Sequence, residues 1–568
     1  MSVYPQVSDP SFNKFIKKHY ADYTIPKTPK TFEQICYPEL YELQIPQKFL
    51  AEYINPKTPY RGLLVYHKIG GGKTCVAINI AEQFVGKKNI MIVLPASLKG
   101  NFRSELRTLC AGEKYLTNQE RNIIKNVNPT DKTYIDIINK SDARIDKYYT
   151  IYSYNKFVDL VSYGKISLDN TLLIIDEIQN MVSETGVYYR VLYNTIKQAP
   201  KSMRLVIMTA TPIFDKPIEL ALTMNLLLDD EFPTGKEFNE QYLKRTGPTA
   251  NISSFDVINM NTFKKKIRGY VSYYNGAPKF VFPRTEIFFV NCPMSDEQLL
   301  LYNIIAKKEF KSGDLSNFDI VDENIPNNFY IETRMTSNFM YCHEQNYSTL
   351  DDADFELDKL SVLSSKYYKI ITKIKKCLGT IFIYSNFKRY GGLASLVRAL
   401  EVNGYKNYET HREGANRFAI WSGDQDMAYR EQIKIVFNNK NNENGDYLQI
   451  ILGSSAIKEG VSLLRVQEVH IIEPYWNFSR LEQVMGRASR YCSHKDVDKE
   501  KQLVKVYIYF AVHSSLKISI DQKIMGMAIN KKSISSKFET ALKEIAIDCD
   551  LFKYGNDDPD MSPIKCDY

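Results

Sequence analysis

No apolar run in this sequence is long enough to cross a bilayer, and no basic-then-apolar leader opens it, so neither a membrane span nor a secretory signal is expected. The nine cysteines never fall into C-x-x-C pairs. That removes the usual zinc-ligand spacing and suggests no disulfide framework; scattered thiols of this kind fit a reducing compartment. Self-similarity of solenoid length is also missing, which excludes a repeat architecture. Neither sign of charge dominates: 74 basic against 66 acidic side chains leave +8, which permits nucleic acid as a partner without demanding it. What is present is ordinary for a soluble globular chain: 568 residues, 44% hydrophobic and 25% charged, with room for roughly two to four domains.

Short apolar runs alternate with helical spacing from Leu63 to Thr209: Gly62–Tyr66, Asn89–Leu94, Tyr148–Tyr152, Thr171–Ile175 and Arg204–Met208. Continuous β-branched runs of this sort are strands buried on both faces, the mark of a parallel α/β sheet. A less regular middle follows, with helical patterns, a lysine cluster at Lys264–Lys266 and one strand at Glu286–Val290. The acidic patch Asp351–Asp354 reads as a linker. Beyond it the alternation returns at Thr380–Tyr384, Phe418–Trp421, Tyr447–Leu452, Glu468–Ile472 and Val504–Tyr509. The expected organisation is an irregular arm over 1–40, a first α/β domain over 41–300, a helical connector over 301–355, a second α/β domain over 356–525 and a tail over 526–568.

One stretch decides the chemistry. His67-Lys68-Ile69-Gly70-Gly71-Gly72-Lys73-Thr74 lies between the apolar strand Gly62–Tyr66 and a helical repeat, Cys75–Ala81. Strand, glycine loop, helix is the context of a phosphate-binding loop. Gly70, Gly71 and Gly72 let backbone N–H groups close on a polyphosphate at the positive end of the helix. Lys73 would reach the β- and γ-phosphates, and the Thr74 hydroxyl would ligate Mg²⁺. The usual G-x-x-x-x-G-K-[ST] pattern wants glycine where His67 stands. Read blandly, this is a glycine turn beside a surface lysine, so companions are needed.

They are present. Leu172–Ile175 runs into Asp176-Glu177: a strand-end aspartate can hold Mg²⁺, and the adjacent glutamate can orient and deprotonate an attacking water. The next strand ends Met208-Thr209-Ala210-Thr211-Pro212, whose Thr209 and Thr211 hydroxyls can couple the hydrolytic carboxylates to a neighbouring domain. Far downstream, Gln483-Val484-Met485-Gly486-Arg487-Ala488-Ser489-Arg490 sets Arg487 and Arg490 three apart, neighbours on one helical face. Two guanidinium groups so placed can clamp a γ-phosphate from a second domain.

These motifs in this order resemble the superfamily-2 helicases and translocases. His67–Thr74 is similar to motif I, Asp176–Gln179 to motif II, Met208–Pro212 to motif III and Gln483–Arg490 to motif VI. Val93–Leu98 resembles motif Ia, Ile383–Phe387 motif IV, and Gly453-Ser454-Ser455 with Lys458-Glu459-Gly460 motif V. A closer resemblance is to the NTPases of large cytoplasmic DNA viruses, such as the poxvirus early transcription factor small subunit and nucleoside triphosphatase I, with relatives on yeast linear plasmids. Pro46–Leu50, Val271–Tyr274, Glu473–Asn477 and Ala546–Cys549 carry it.

The resemblance implies two tandem RecA-like parallel-sheet domains with a helical insert, and an ATPase dependent on ATP and Mg²⁺. In the cofactor site it places Gln47, which would read the adenine, with Gln179 and Gln483. Motif II has Gln179 where the family more often has histidine. Backbone contacts to nucleic acid, DNA or RNA, fall on Ser97, Lys99, Ser385, Asn386, Ser454 and Ser455. The task so implied is viral transcription with a virus-encoded RNA polymerase, in the host cytoplasm and packaged in the virion. The rival is a non-translocating factor whose NTPase switches its binding to DNA or polymerase. A small-molecule P-loop kinase is a third reading, which motif VI and the second α/β unit oppose.

Overall fold

The computed structural model describes residues 4–68, 70–127, 131–246, 254–309, 329–454, 457, 461–558 and 562–567. The chain divides into two compact units: 1–244 with 255–279 and 534–568, and 245–254 with 280–533. Two short strands, β6 (Leu243–Thr246) and β7 (Ser254–Val257), pair only with each other.

The first unit is built on a six-stranded sheet of β1 (Gly62–His67), β2 (Asn89–Leu94), β3 (Tyr149–Ser153), β4 (Thr171–Ile175), β5 (Arg204–Thr209) and β8 (Val271–Tyr274), in the order β3-β2-β4-β5-β1-β8. Every pairing is parallel, with Tyr66 opposite Thr209 and Ile175 opposite Ile207. Parallel register brings the carboxyl ends of β1, β4 and β5 to one sheet edge, where ligands of open α/β sheets sit. The apolar runs are strands because both faces are covered: Leu63, Leu64 and Val65 are fully buried, as are Leu172 to Ile175. The core also takes in Phe12 and Ile16 from the amino-terminal stretch and Leu551 and Phe552 from the tail.

The second unit holds a seven-stranded parallel sheet. Its strands are β9 (Arg284–Pro293), β10 (Thr380–Tyr384), β11 (Lys406–Asn407), β12 (Arg417–Trp421), β13 (Ile450–Gly453), β14 (Val466–Ile471) and β15 (Leu503–Val512), in the order β11-β12-β13-β10-β14-β15-β9. Strand alternation feeds two cores, Ile381 and Ile383 on one face of β10 and Phe382 and Tyr384 on the other. Two parallel-sheet units of this kind are the architecture expected from the sequence.

Four expectations need correction. The first domain does not run to 300: β9 pairs with β15 from Arg284 to Pro293, and the stretch from Phe280 to Ser533 belongs to the second unit. The described residues of 301–355 form no separate connector but contribute to that unit's core, with Phe339 and Phe355 fully buried. Nor is the acidic patch a linker, because Asp352 is paired with Arg398 at 3.0 Å and Phe355 anchors the turn beside it. The tail is not a separate element either: the helix Ile520–Glu544 runs through its start, and everything from Ile534 belongs to the first unit.

The cysteines also depart from expectation. Cys75 and Cys110 form a disulfide, as do Cys549 and Cys566. Spacing in sequence carries no trace of this. Cys75 meets Cys110 because the helix Lys73–Glu82 packs on the turn Leu109–Ala111, with both sulfurs buried there.

Candidate active site

Gly72 opens the site. It caps the helix Lys73–Glu82 at φ 67°, ψ 32°, a left-handed conformation that L side chains resist. A Cβ there would stand 2.5 Å from the Gln47 amide nitrogen, and one on Gly71 would stand 3.0 Å from the Lys68 carbonyl. Side chains are thus opposed at both positions, and the first turn of the helix has N–H groups without intrahelical partners. Gln47 is 4% exposed, and its Oε1 accepts the Gln44 N–H at 2.8 Å, a capping box that fixes the amide against the loop. Gly70 is likewise left-handed, at φ 85°. Lys73 and Thr74 begin the helix, half-buried. Ile69 lies outside the described residues.

Directly beyond β4, Asp176 is 7% exposed, and its Oδ1 accepts the Glu177 N–H at 3.0 Å. Glu177 sits at φ 53°, ψ 48°. Its backbone is held there by Tyr154, whose hydroxyl donates to the Asp176 carbonyl at 2.5 Å and the Glu177 carbonyl at 2.9 Å. The Glu177 carboxylate lies 3.9 Å from the Lys73 ammonium and accepts the Gln179 amide at 2.6 Å. Gln179 in turn accepts the Thr209 hydroxyl at 2.7 Å, and Thr209 Oγ1 accepts the Thr211 N–H at 2.9 Å. An ion pair from Lys73 to Glu177 and hydrogen bonds from Glu177 through Gln179 to Thr209 thus join the groups that follow β1, β4 and β5. The buried Thr211 hydroxyl has no hydrogen-bond partner among the described residues.

In the second unit, Gln483 and Arg487 lie on the helix Phe478–Ala488. Arg487 is 8% exposed and its guanidinium donates to the Val461 carbonyl at 3.4 Å. The three-residue spacing predicts Arg490 on the same helix face, and the structure corrects this. The helix stops at Ala488, and Ser489 leaves it at ψ 89°. Arg490 is held instead by its own side chain, which donates to the Gly486 carbonyl at 3.1 Å and to Ser462 Oγ at 2.9 Å.

A family model described as the SNF2-related domain matches residues 47–345, and one described as the helicase conserved C-terminal domain matches 366–492. A protein of Acanthamoeba polyphaga mimivirus named as ATP-dependent RNA helicase R563 is 58% identical over 99% of both chains. The chain belongs to the superfamily-2 helicases of large DNA viruses. More distant relatives are a termination factor NPH-I homolog of African swine fever virus, 26% identical over 86% of this chain and 76% of its own, and helicase 087L of Invertebrate iridescent virus 3, 27% identical over 98% and 58%. Among solved structures, the Hef helicase domain of Pyrococcus furiosus aligns at a TM-score of 0.38 with 14% identity, over 82% of this chain and 94% of that one.

As a helicase the chain is an ATPase, and its remaining expected residues concern nucleic acid. Ser97 is exposed in the turn Ala96–Leu98 and Lys99 begins the next helix, both at the end of β2. Ser385 and Ser454 are corrected by the structure: both are fully buried, so neither side chain reaches a phosphate as it stands. Ser385 donates its hydroxyl to Glu473 at 3.0 Å, and Asn386 gives Glu473 both its backbone N–H at 2.5 Å and its amide at 3.1 Å. Ser455 and Lys458–Gly460 lie outside the described residues. The lysine cluster is largely neutralised, with Lys264 on Glu544 at 2.5 Å and Lys266 on Asp230 at 3.2 Å.

Two residues escaped the sequence reading. Glu473 is the buried hub of the motif IV region, also accepting Asn338 at 2.9 Å, and burial pushes its carboxyl up from the ordinary range. The stretch Glu473–Asn477 was visible as a resemblance, but nothing marked the glutamate within it. Tyr154 had no signal at all, because its contacts are to main-chain carbonyls.

Proposed function

We propose that this helicase is an ATP-driven, nucleic-acid-stimulated translocase that serves viral transcription beside a virus-encoded RNA polymerase, in the host cytoplasm and within the virion. The observation that carries the reading is the series Lys73–Glu177–Gln179–Thr209–Thr211, an ion pair followed by three hydrogen bonds, across three strand ends. ATP would lie with its phosphates on Gly70–Gly72 and Lys73 and its adenine toward Gln47. The cradle suits it, since side chains are opposed at Gly71 and Gly72, which lets a phosphate approach the amino-terminal end of the helix. The Thr74 hydroxyl and Asp176 carboxylate are hard oxygen donors of the kind Mg²⁺ takes, and the ion would neutralise charge building on the phosphate oxygens.

Glu177 orients and deprotonates the water. Its rigid left-handed backbone and the Gln179 amide fix the carboxylate for that task. Arg487 and Arg490 are the groups assigned to the γ-phosphate from the second unit, and Gln483 the polar companion beside them. Arg490→Ala should then cut turnover more than nucleotide binding, and the reverse in a direct titration would make it a binding residue. The transcriptional role takes support from the relative named as a termination factor.

ATPase assays with single-stranded DNA, duplex DNA and RNA test the motor: at least one should accelerate hydrolysis. A second reading gains from one observation, the burial of Ser385 and Ser454. In it the NTPase only switches affinity for polymerase or promoter. Turnover indifferent to every nucleic acid, with polymerase binding that depends on nucleotide, would favour that switch.

A further inference from the structure

We propose that Ser272 and Asp548 are positioning residues for the phosphate loop, acting through His67. The proposal rests on the phosphate-loop reading above and concerns three residues that reading leaves unused: the histidine standing in place of the loop's first glycine, and two from the stretches Val271–Tyr274 and Ala546–Cys549.

All three side chains are fully buried in the first unit. His67 ends β1, and its Nε2 lies 3.1 Å from Ser272 Oγ on the neighbouring strand β8. Ser272 donates its hydroxyl to Asp548 Oδ2, and Asp548 Oδ1 accepts the Tyr273 N–H at 2.9 Å. With Asp548 ionised, the direction of these bonds is forced. Serine has one proton and gives it to the carboxylate, so towards His67 it can only accept. The imidazole must therefore carry its proton on Nε2, which leaves Nδ1 a bare acceptor with no partner among the described residues. Burial, aided by the Lys73 charge, pushes the His67 pKa down to about 3, so the ring stays neutral beneath the loop.

The loop is folded onto this ring. Lys68 donates its N–H to the Tyr274 carbonyl at 3.0 Å, and Gly71 donates to the Lys68 carbonyl at 3.0 Å. A Cβ on Gly71 would come within 3.3 Å of His67 Cβ. The tail meanwhile runs along the open edge of β8. Ile547 donates to the Val271 carbonyl at 2.8 Å, and Asn556 accepts the Asn275 N–H at 2.8 Å. A glycine at position 67 would leave Ser272 and Asp548 without a side-chain bond to the end of β1; the imidazole supplies that bond where the loop begins. The loop binds triphosphate in ground state and transition state alike, so loosening it should weaken nucleotide binding while sparing the chemical step.

The test compares Ser272→Ala and Asp548→Asn with the intact chain at pH 8, where the Asp548 carboxylate is ionised. Losing one hydrogen bond to a charged group predicts about a tenfold rise in the ATP dissociation constant and KM, with kcat held within about twofold. Nitrogen-15 spectra of the histidine rings should show the Nε2–H form of His67 in the intact chain. In Asp548→Asn that form should be lost, because an amide can accept from only one of the two donors aimed at it. Unchanged affinity in both folded variants, or kcat falling at constant KM, overturns the proposal. Should Asp548→Asn fail to fold, Ser272→Ala decides alone. Lys73→Ala separates the two readings. Normal turnover there sinks the phosphate loop itself, whereas a dead Lys73→Ala beside an unaltered Asp548→Asn sinks only the tie.

Discussion

Glu177, the base in the function proposed above, sits in a strained backbone conformation. A non-glycine residue in the left-handed region costs about 1–2 kcal/mol, and the structure over-determines it through two carbonyls on one tyrosine hydroxyl. Glu177→Gln keeps the shape and removes the base. Nucleotide binding should survive while hydrolysis falls by about a hundredfold or more; normal turnover in a single-cycle assay would place the base elsewhere. The buried pair His67 and Asp548 makes a second prediction. Burial moves His67 down from 6.5 to about 3 and Asp548 up from 3.8 to about 7. Between roughly pH 4.5 and 6 the unfolded chain holds a proton on the histidine and the folded chain holds one on the aspartic acid. The histidine's contribution is complete above 6.5 and fades as pH falls; the aspartate's is complete below 3.8 and fades as pH rises through 7. In that window the two slopes oppose. Asp548→Asn leaves only the histidine, so urea stability should rise with pH there by up to about 1.4 kcal/mol per unit more than in the intact chain. Parallel stability curves for the two proteins would refute the assigned protonation states.

At the scale of elements, most of the fold could be read directly. Strands such as Asn89–Leu94, Thr171–Ile175 and Thr380–Tyr384 carry unbroken apolar runs, because a parallel strand buried on both faces leaves no polar alternation to blur its ends. Val271–Tyr274 was not legible as a strand. Four residues with a serine among them carry no period, and only pairing with β1 defines the element. The glycine loop, Asp176 and Thr209 could be placed at strand ends from the sequence, because each directly follows or ends an apolar run that the structure makes a buried strand. Ser385 misled for the complementary reason: a hydroxyl after a strand suits a phosphate or a buried carboxylate equally, and Glu473 supplied the carboxylate. The Cys75–Cys110 bond was invisible because packing, not spacing, joins helix to turn. It closes a loop of 35 residues, worth about 4 kcal/mol in chain entropy. Cys110→Ser should lower the urea midpoint of the first unit, and an unchanged midpoint would show that the link adds no stability.

On the scale of the whole molecule, domain boundaries were the poorest part of the reading. Charge runs and composition follow surface chemistry, whereas the units are set by which sheet a strand joins, as β9 shows. The first unit is assembled from three stretches, 1–244, 255–279 and 534–568. Removing 534–568 takes away Asp548, Phe552 and the Glu539 carboxylate that receives the Tyr66 hydroxyl at 3.1 Å. A chain cut after Ser533 should lose ATP binding even though every helicase motif remains. Retained binding in a titration would mean the core closes without its final stretch.

That interrupted layout bears on synthesis. A ribosome making this protein has emitted the glycine loop hundreds of codons before Asp548 and Phe552, and domains built from contiguous sequence ordinarily fold as they emerge. Here the nascent amino-terminal sheet must wait, with an uncovered apolar flank, for the stretch from Ile534 onward. Premature stops would therefore yield polypeptides in need of chaperones, and not partial motors that burn ATP without doing work.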